Sequence, residues 1–275
     1  MKRFVANPTL KGEIKKARAS GYSFIKAIGD ICDGGLTMEG GSELDIDLFG
    51  DNNVVSSIEV KDNIQSGMYK LQNSGASHPL CWTHETDDHD DDKMISEFGT
   101  GLKSAAVCVS DKLDIITRYK DKHSGEFKYE MVVCNWIRMK EKNTFDPEYI
   151  SISPEVYSNK NMNQGTLFIL DNLRKDFIPK MDKATGQIRK YLSQVYFKQI
   201  MKGKKIRVNG DLIKASTPPI MIANHSWNIY KMEIILLQAN NNDLNIFIYK
   251  EISSERNVKW KKISYNEKDK KYKQN

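Results

Sequence analysis

The stretch from Glu97 to Ala105, Glu-Phe-Gly-Thr-Gly-Leu-Lys-Ser-Ala, predicts a glycine-rich turn that opens into a helix. Because glycine lacks a Cβ atom, such a turn lets the backbone approach phosphate oxygens closely. The amides and the positive dipole end of the following helix attract anions, and Lys103 adds a positive charge. Alone, a Gly-x-Gly before a helix is usually a plain turn, so its meaning depends on the rest of the chain.

Two other segments carry carboxylates that a nucleotide could use. The apolar spacing of Lys15 to Cys32 predicts a helix that bears Asp30 and ends at Asp33-Gly34-Gly35. Alternation over Val54 to Lys61 predicts a strand that leads to Asp62. A helix carboxylate can order a water for attack on a phosphate. A carboxylate at a strand end can accept a hydrogen bond from a purine amine.

The order and spacing of these three segments resemble the N box and the two glycine boxes of the GHKL ATPases, which include gyrase B, heat-shock chaperones, histidine kinases and MutL. The stretch from Glu97 to Ala105, followed by Leu113 to Thr117, is most similar to the MORC family. Gln164 to Leu173 resembles the Gly-Thr strand of that family. The resemblance extends from about Phe24 to Lys250.

The resemblance implies a role for each matching residue. Asp30 would be the general base, where the family usually has Glu, and Asp62 would bind the adenine amine. Lys250 would reach the terminal phosphate from the second domain. The other residues implied to contact ATP are Asp33, Gly34, Gly67, Met68, Phe98, Gly99, Thr100, Gly101, Leu102, Lys103, Ser104 and Thr166.

Two departures from the family pattern bear on hydrolysis. The family has an Asn as magnesium ligand four residues after its Glu, where this chain has Gly34. Asp33 could hold Mg²⁺ instead only if the end of the helix turns its side chain toward the phosphates. The segment from Asp62 to Met68 has one residue more than the family's first glycine box and lacks its first Gly. We therefore expect a slow, Mg²⁺-dependent ATPase, with a non-hydrolysing nucleotide-binding interaction module as the alternative.

The fold that the resemblance implies is α/β, with one layer of helices on a mixed, mainly antiparallel sheet of the Bergerat type. This ATP-binding domain would span residues 1–175, and a smaller transducer-like domain would span 176–275, with a boundary near Asp176 and a frayed basic tail from Lys268. Other elements predicted from the sequence are strands at Lys112 to Tyr119, Phe127 to Arg138, Gly165 to Leu170, Lys231 to Gln238 and Leu244 to Lys250, a helix at Ile188 to Met201, and a hairpin at Ile206 to Ile213 closed by Asn209-Gly210.

The resemblance also implies partners. ATP would drive formation of a homodimer, and the likeness to MORC proteins implies a clamp on DNA or chromatin. A chaperone-like ATPase of the same superfamily is a further alternative. The basic stretch of Lys198, Lys202, Lys204, Lys205 and Arg207 could contact a nucleic-acid backbone or form a solvated face.

Composition bounds the class of protein. Hydrophobic residues make up 39% of the chain, which is typical of a globular protein, and the net charge of +6 is mild. The four cysteines form no Cys-x-x-Cys pair, so we expect neither a zinc site nor a disulfide framework, but a reducing intracellular compartment. The sequence contains no run of about 18 apolar residues, so we expect no membrane span. The acidic run from Asp87 to Asp92, near His78, His84 and His89, could bind a metal but is more typical of a solvated loop.

Overall fold

The structure is a computed structural model that describes residues 9–19, 21–37, 40–73, 78–80, 101–175 and 177–216. It also describes the backbone of four strands between residues 236 and 274. The chain divides into two compact units, Met1–Ser216 and Thr217–Asn275. Asp176, where the sequence predicts a domain boundary, lies outside the described residues, so that boundary stays a prediction.

The first unit contains seven described α-helices and eight described strands, and the strands form one mixed sheet. Its helices are α1 (Leu10–Ala19), α2 (Phe24–Thr37), α3 (Gly101–Val109), α4 (Trp136–Lys142), α5 (Pro154–Ser158), α6 (Met181–Val195) and α7 (Phe197–Met201), with a 3-10 turn at Tyr69–Gln72. Its strands are β1 (Glu43–Asp51), β2 (Val54–Asp62), β3 (Ser110–Lys120), β4 (Phe127–Asn135), β5 (Glu148–Ser151), β6 (Thr166–Leu173), β7 (Lys205–Val208) and β8 (Asp211–Leu212).

The strands of the first unit lie in the order β5-β4-β3-β6-β2-β1-β7-β8. All neighbours are antiparallel except β1 and β7, which run parallel with Leu44 opposite Ile206 and Ile46 opposite Val208. The prediction of an α/β fold with a mixed, mainly antiparallel sheet is therefore confirmed.

The main core lies between this sheet and the helices on one of its faces. Alternation along β1 buries Leu44, Ile46 and Leu48, as a strand with one covered face requires. Helical spacing on α6 buries Ala184, Ile188 and Leu192 against the same core. A smaller cluster covers part of the opposite face, beside α5; its buried members are Ile116, Tyr157, Met162 and Leu167.

The single helix predicted from Lys15 to Cys32 is wrong, because the structure has two helices there, α1 and α2. Gly21 lies between them with φ +75°, a left-handed conformation that interrupts a right-handed helix. Ser23 then begins α2, since its hydroxyl oxygen accepts a hydrogen bond from the amide of Lys26 at 3.3 Å.

The end predicted for this helix at Asp33-Gly34-Gly35 is also wrong, since α2 continues to Thr37. Both glycines lie inside the helix, and one of them, Gly35, allows the helix to pack closely against the sheet. A Cβ atom added at Gly35 would lie 2.9 Å from the Cβ of Asp62 and 3.0 Å from the Cδ1 of Leu44. Close approach, rather than helix termination, explains this glycine.

Two later predictions have different outcomes. The strand predicted from Phe127 to Arg138 is too long, because β4 ends at Asn135, whose side chain caps α4 by accepting a hydrogen bond from the amide of Arg138. The hairpin closed by Asn209-Gly210 is confirmed. Both turn residues have positive φ, +51° and +79°, as a two-residue turn between twisted strands requires.

The second unit contains a four-stranded antiparallel sheet in the order β12-β11-β10-β9. The segment from Lys268, which the sequence predicts to be frayed, contains its last strand. The strands are β9 (Leu236–Asn240), β10 (Asp243–Ile248), β11 (Lys261–Asn266) and β12 (Lys271–Gln274).

Candidate functional site

Asp62, the last residue of β2, has a buried carboxylate on the helix-covered side of the sheet. Its Oδ1 accepts hydrogen bonds from the amides of Ile64 at 3.0 Å and Thr166 at 3.1 Å. Burial raises the pKa of Asp62 to about 6, and the two amides partly offset this rise. No hydrogen bond to Oδ2 comes from the described residues. That oxygen is the acceptor that a buried ligand amine would need.

Glycines let the backbone close around Asp62. Gly165 has φ +96°, and a Cβ atom added there would lie 2.0 Å from the carbonyl oxygen of Asp62. Gly165 thus leaves no room for a side chain beside the backbone of Asp62, and Gly35 of α2 leaves none beside its side chain. The Gly-Thr pair noted in the sequence is thus a structural requirement here: Gly165 permits the contact, and Thr166 donates its amide.

Thr117 of β3 extends the site, although the resemblance that covers Leu113 to Thr117 assigns it no contact with ATP. Its Oγ1 lies 3.0 Å from the Oγ1 of Thr166 and accepts a hydrogen bond from the amide of Met68 at 2.9 Å. Gly67 has φ +54°, and an added Cβ atom would lie 1.9 Å from the carbonyl oxygen of Arg118. The predicted residues Gly67 and Met68 are therefore held beside β3, next to Thr166.

Asp30 lies on α2 and faces the start of α3. A Cβ atom added at Gly101 would lie 3.8 Å from the Oδ2 of Asp30. The hydroxyl of Tyr22 donates a hydrogen bond to the same oxygen at 2.5 Å. A carboxylate beside the first turn of a helix is stabilised by the dipole and the unpaired amides there. This contact brings together two of the three predicted segments.

The remaining predicted segment, the strand that ends at Asp62, also contacts α2. Gly35 of α2 packs against Asp62, and Asp30 of α2 packs against Gly101. One helix therefore contacts both the strand-end carboxylate and the beginning of the glycine-rich segment's helix.

Asp33 and Gly34 have different surroundings from Asp30. The carboxylate of Asp33 accepts a hydrogen bond from the hydroxyl of Tyr196, whose oxygen also lies 3.0 Å from the carbonyl oxygen of Gly29. Burial raises the pKa of Asp33, the Tyr196 hydrogen bond lowers it, and the charge of Asp30 raises it. Gly34 is exposed, and a Cβ atom added there would meet nothing within 4 Å.

The residues at the start of α3 are only partly described. Phe98, Gly99 and Thr100 lie outside the described residues, as does Lys250. Lys103 is buried, with 1% of its surface exposed, and its ammonium donates a hydrogen bond to the carbonyl oxygen of Pro79 at 3.1 Å. The other two α3 residues implied to bind ATP, Leu102 and Ser104, are half-buried.

The described residues do not form a protein-held metal site. Among them there is no group of three or more His, Cys, Asp or Glu side chains that could hold an ion. Gly34 supplies no side-chain oxygen, and Asp33 faces Tyr196. The residues present therefore fit Mg²⁺ poorly as a metal held by the protein itself.

The histidines and the acidic run near the glycine-rich segment are described only at His78. Its ring nitrogens contact the hydroxyl of Tyr149 at 3.0 Å and the amide of Leu80 at 3.1 Å. The run from Asp87 to Asp92, with His84 and His89, lies outside the described residues, and the metal-site hypothesis for it stays untested.

Three members of the basic stretch are engaged within the protein. The ammonium of Lys204 donates to the carbonyl oxygen of Leu36 at the end of α2. Lys205 pairs with Glu43, and Arg207 pairs with both Glu43 and Asp45, which joins β7 to β1. Two of the five charges that suggested a nucleic-acid surface, Lys205 and Arg207, are therefore paired with carboxylates of the same sheet.

A cleft of about 380 Å³ lies at the end of β2, and Asp62 and Asn63 are among the residues that line it. Among the residues that line it, Glu43, Asp45 and Lys61 alternate with buried neighbours. This alternation places their side chains on the sheet face opposite to the Asp62 carboxylate.

Comparison with known proteins leaves the family of the chain open. No family model matches it, and no curated protein does. In the part of the chain that the structure describes, no helix is both long and apolar enough to cross a bilayer.

Proposed function

We propose that the chain binds ATP between α2 and the ends of β2 and β6, and hydrolyses it slowly. The observation that carries this proposal is the position of α2, which contacts Asp62 through Gly35 and the start of α3 through Asp30. A base near Asp62 and phosphates near Gly101 would thus lie along one helix. The resemblance of the same three segments to the GHKL ATPases supports the same arrangement.

Asp62 is the residue that would select adenine. Its Oδ1 is fixed by two amides, and Oδ2 would accept a hydrogen bond from the exocyclic amine of the base. Guanine presents a carbonyl oxygen at the corresponding position, and two acceptors facing each other in a buried site are unfavourable. Thr166 and Thr117 would support the base with their hydroxyls.

Asp30 is the residue that would act on the attacking water. Its carboxylate lies beside Gly101, where α3 offers amides to the phosphates. In hydrolysis the water oxygen bonds to the γ-phosphorus, the bond from that phosphorus to the bridging oxygen breaks, and ADP leaves with the electron pair. Asp30 accepts the proton that the water loses. Mg²⁺ would be held mainly by phosphates and water, as is common for this ion.

ATP-dependent dimerisation and a clamp on DNA or chromatin complete the proposal, on the strength of the MORC resemblance alone. A non-hydrolysing nucleotide-binding module is the second candidate. The observation that favours it is the pair of positions 33 and 34: Asp33 is hydrogen-bonded to Tyr196, and Gly34 has no ligand atom in its side chain. In that case ATP binding, without hydrolysis, would control association with a partner.

Calorimetric titration with ATP and GTP, followed by a phosphate-release assay, tests the proposal. We expect ATP to bind and GTP to bind at least about 100-fold more weakly. Asp62→Asn replaces the acceptor with an amide donor and should abolish the preference, whereas Asp146→Asn, an exposed position, should not change it. Absence of ATP binding by the wild type would refute the proposal. ATP binding with no phosphate release, equal in wild type and Asp30→Asn, would select the non-hydrolysing module.

A further inference from the structure

Tyr22 lies in the short link between α1 and α2, one residue after Gly21. Its hydroxyl donates a hydrogen bond to the Oδ2 of Asp30 at 2.5 Å, two turns along the helix that follows. The tyrosine ring is half-buried and packs against the main core. The hydroxyl is therefore directed at Asp30 by a packed ring rather than by an exposed side chain.

The tyrosine remains a donor at physiological pH. Burial raises its pKa above the ordinary value for a phenol, and the hydrogen bond and the negative charge of Asp30 raise it further. The proton therefore stays on the Tyr22 oxygen, and the contact with Asp30 is a hydrogen bond between a neutral donor and a carboxylate. Such charge-assisted hydrogen bonds are stronger than neutral ones.

The segment that carries Tyr22 is fixed on its N-terminal side. The guanidinium of Arg18, at the end of α1, donates to the carbonyl oxygen of Val107 at 3.1 Å and pairs with Asp111. The thiol of Cys108 donates to the carbonyl oxygen of Ala17 at 3.1 Å. These contacts attach α1 to α3, the helix whose first turn faces Asp30. The donor, the acid and the start of α3 thus belong to one packed assembly.

The two oxygens of Asp30 consequently have different environments. Oδ2 accepts from Tyr22, while no hydrogen bond to Oδ1 comes from the described residues. Fixing one oxygen of a carboxylate fixes the direction of the other, because the two share one plane. A catalytic side chain that is held in its reactive orientation works faster than one that is free to rotate. A displacement of about 1 Å from that orientation can lower the reaction rate on the order of 100-fold.

We propose that Tyr22 is a positioning residue for ATP hydrolysis, which holds Oδ2 of Asp30 so that Oδ1 receives the proton of the attacking water. This inference rests on the proposed function. The proton of the water passes to Oδ1 as the oxygen bonds to the γ-phosphorus and ADP leaves, and the proton of Tyr22 stays in place.

Steady-state ATP hydrolysis by the full chain tests the proposal. Tyr22→Phe keeps the ring and removes only the hydroxyl, so we expect kcat to fall by about 10-fold or more while KM and the Kd for ATP stay within about 2-fold. The matched control is Tyr129→Phe, on the opposite face of the sheet, where the ring packs beside Tyr157. That variant should hydrolyse ATP at the wild-type rate.

A double-mutant cycle separates positioning from a general structural effect. If Tyr22 acts through Asp30, Tyr22→Phe should cause no further loss in an Asp30→Asn background. An equal fall of kcat in both backgrounds, or no fall in either, overturns the positioning role and leaves the ATPase proposal standing. A wild type that releases no phosphate overturns both.

A second variant covers the case in which Tyr22→Phe does not fold, as judged by thermal melting. A chain with 3-fluorotyrosine at position 22 keeps the ring and the donor, so it should retain a kcat within about 3-fold of the wild type. A much larger fall there, with an unchanged melting temperature, would contradict a role that depends on hydroxyl donation.

Discussion

The hydroxyl of Tyr196 donates a hydrogen bond to the carboxylate of Asp33, and thereby attaches the end of α6 to the middle of α2. The tyrosine is fully buried, and its hydroxyl oxygen also lies 3.0 Å from the carbonyl oxygen of Gly29. Asp33 is thus turned toward α6, while Asp30, one turn earlier, faces α3. The two acids of α2 have separate tasks: Asp33 joins helices, and Asp30 is the candidate base.

Tyr196→Phe should destabilise the protein by about 1–3 kcal/mol, because a buried acid loses a donor. The hydrogen bond lowers the pKa of Asp33, which burial raises, so its loss raises that pKa further. A carboxyl group with a raised pKa costs stability when it is ionised, so the effect should be larger at pH 8 than at pH 4. Urea unfolding at both pH values checks this, with Tyr129→Phe as control. An equal loss at the two pH values would contradict the role assigned to Asp33.

Asp62→Asn should stabilise the ligand-free protein at neutral pH, even though it should abolish the preference for ATP over GTP. The folded pKa of about 6 lies above the ordinary value of 3.8, so ionisation of Asp62 costs stability as the pH rises between these values. The gain should be small below pH 4 and reach up to roughly 3 kcal/mol at pH 8. Thermal unfolding across this range measures it. Asp146→Asn, at an exposed position, should show no such trend.

Gly34→Ala and Gly29→Ala should have opposite effects on stability. Both glycines lie inside α2, where alanine is favoured by about 1 kcal/mol. A Cβ atom at Gly34 meets nothing within 4 Å, so this variant should gain that stability. A Cβ atom at Gly29 would lie 2.7 Å from a ring carbon of Tyr191, so this variant should lose stability. Urea denaturation of the two variants compares them directly, and a gain at both positions would show that α2 and α6 pack less closely than described.

Gly34→Asn should increase hydrolysis, because it supplies the amide oxygen that the resembled family uses for Mg²⁺. Gly34→Ala is the control, since it also removes the glycine but adds no oxygen; alanine favours the helix more than asparagine does, so the rates are compared at a temperature where both variants are fully folded. We expect phosphate release by the Asn variant to exceed that of the Ala variant by about 10-fold, with a lower Mg²⁺ concentration at half-maximal rate. Equal rates would indicate that the ion, if it is used, is held away from position 34.

Arg207→Gln should affect stability rather than nucleic-acid binding. The guanidinium joins β7 to β1 by pairing with Glu43 and Asp45, and these partly exposed pairs are worth up to about 1 kcal/mol together. A fluorescence-polarisation titration with duplex DNA should give the same affinity for the variant as for the wild type. Lys198→Gln is the comparison, because the structure assigns that side chain no ion pair within the described residues. A selective loss of DNA affinity in Arg207→Gln would contradict this view.

The sequence predicts the parts of the fold whose signals are local. Alternation located β2, and Asn209-Gly210 located the hairpin of β7 and β8. The sequence could not predict that α2 continues through Gly34 and Gly35, because the reason is a contact between Gly35 and Asp62. A glycine signals a helix end when it is judged alone, and packing against another element overrides that signal.

The candidate site divides in the same way. Asp30, Asp62 and Thr166 belong to recognisable motifs, and the structure places each of them beside α2 or β2. Tyr22 and Tyr196 belong to no motif, and the resemblance that includes Thr117 assigns it no contact. Each of the three acts through a hydrogen bond to a partner that the tertiary fold determines. A hydroxyl in a sequence gives no indication of which distant atom it will contact.

The parallel pairing of β1 with β7 has a consequence for the synthesis of the chain. β1 ends at Asp51, but its second neighbour in the sheet is completed only when Val208 has left the ribosome. Until then the nascent polypeptide presents an uncovered sheet edge, which other chains can pair with. A truncated product that stops at residue 175 would keep this edge permanently, and it should accumulate as insoluble material even with every carboxylate of α2 and β2 present.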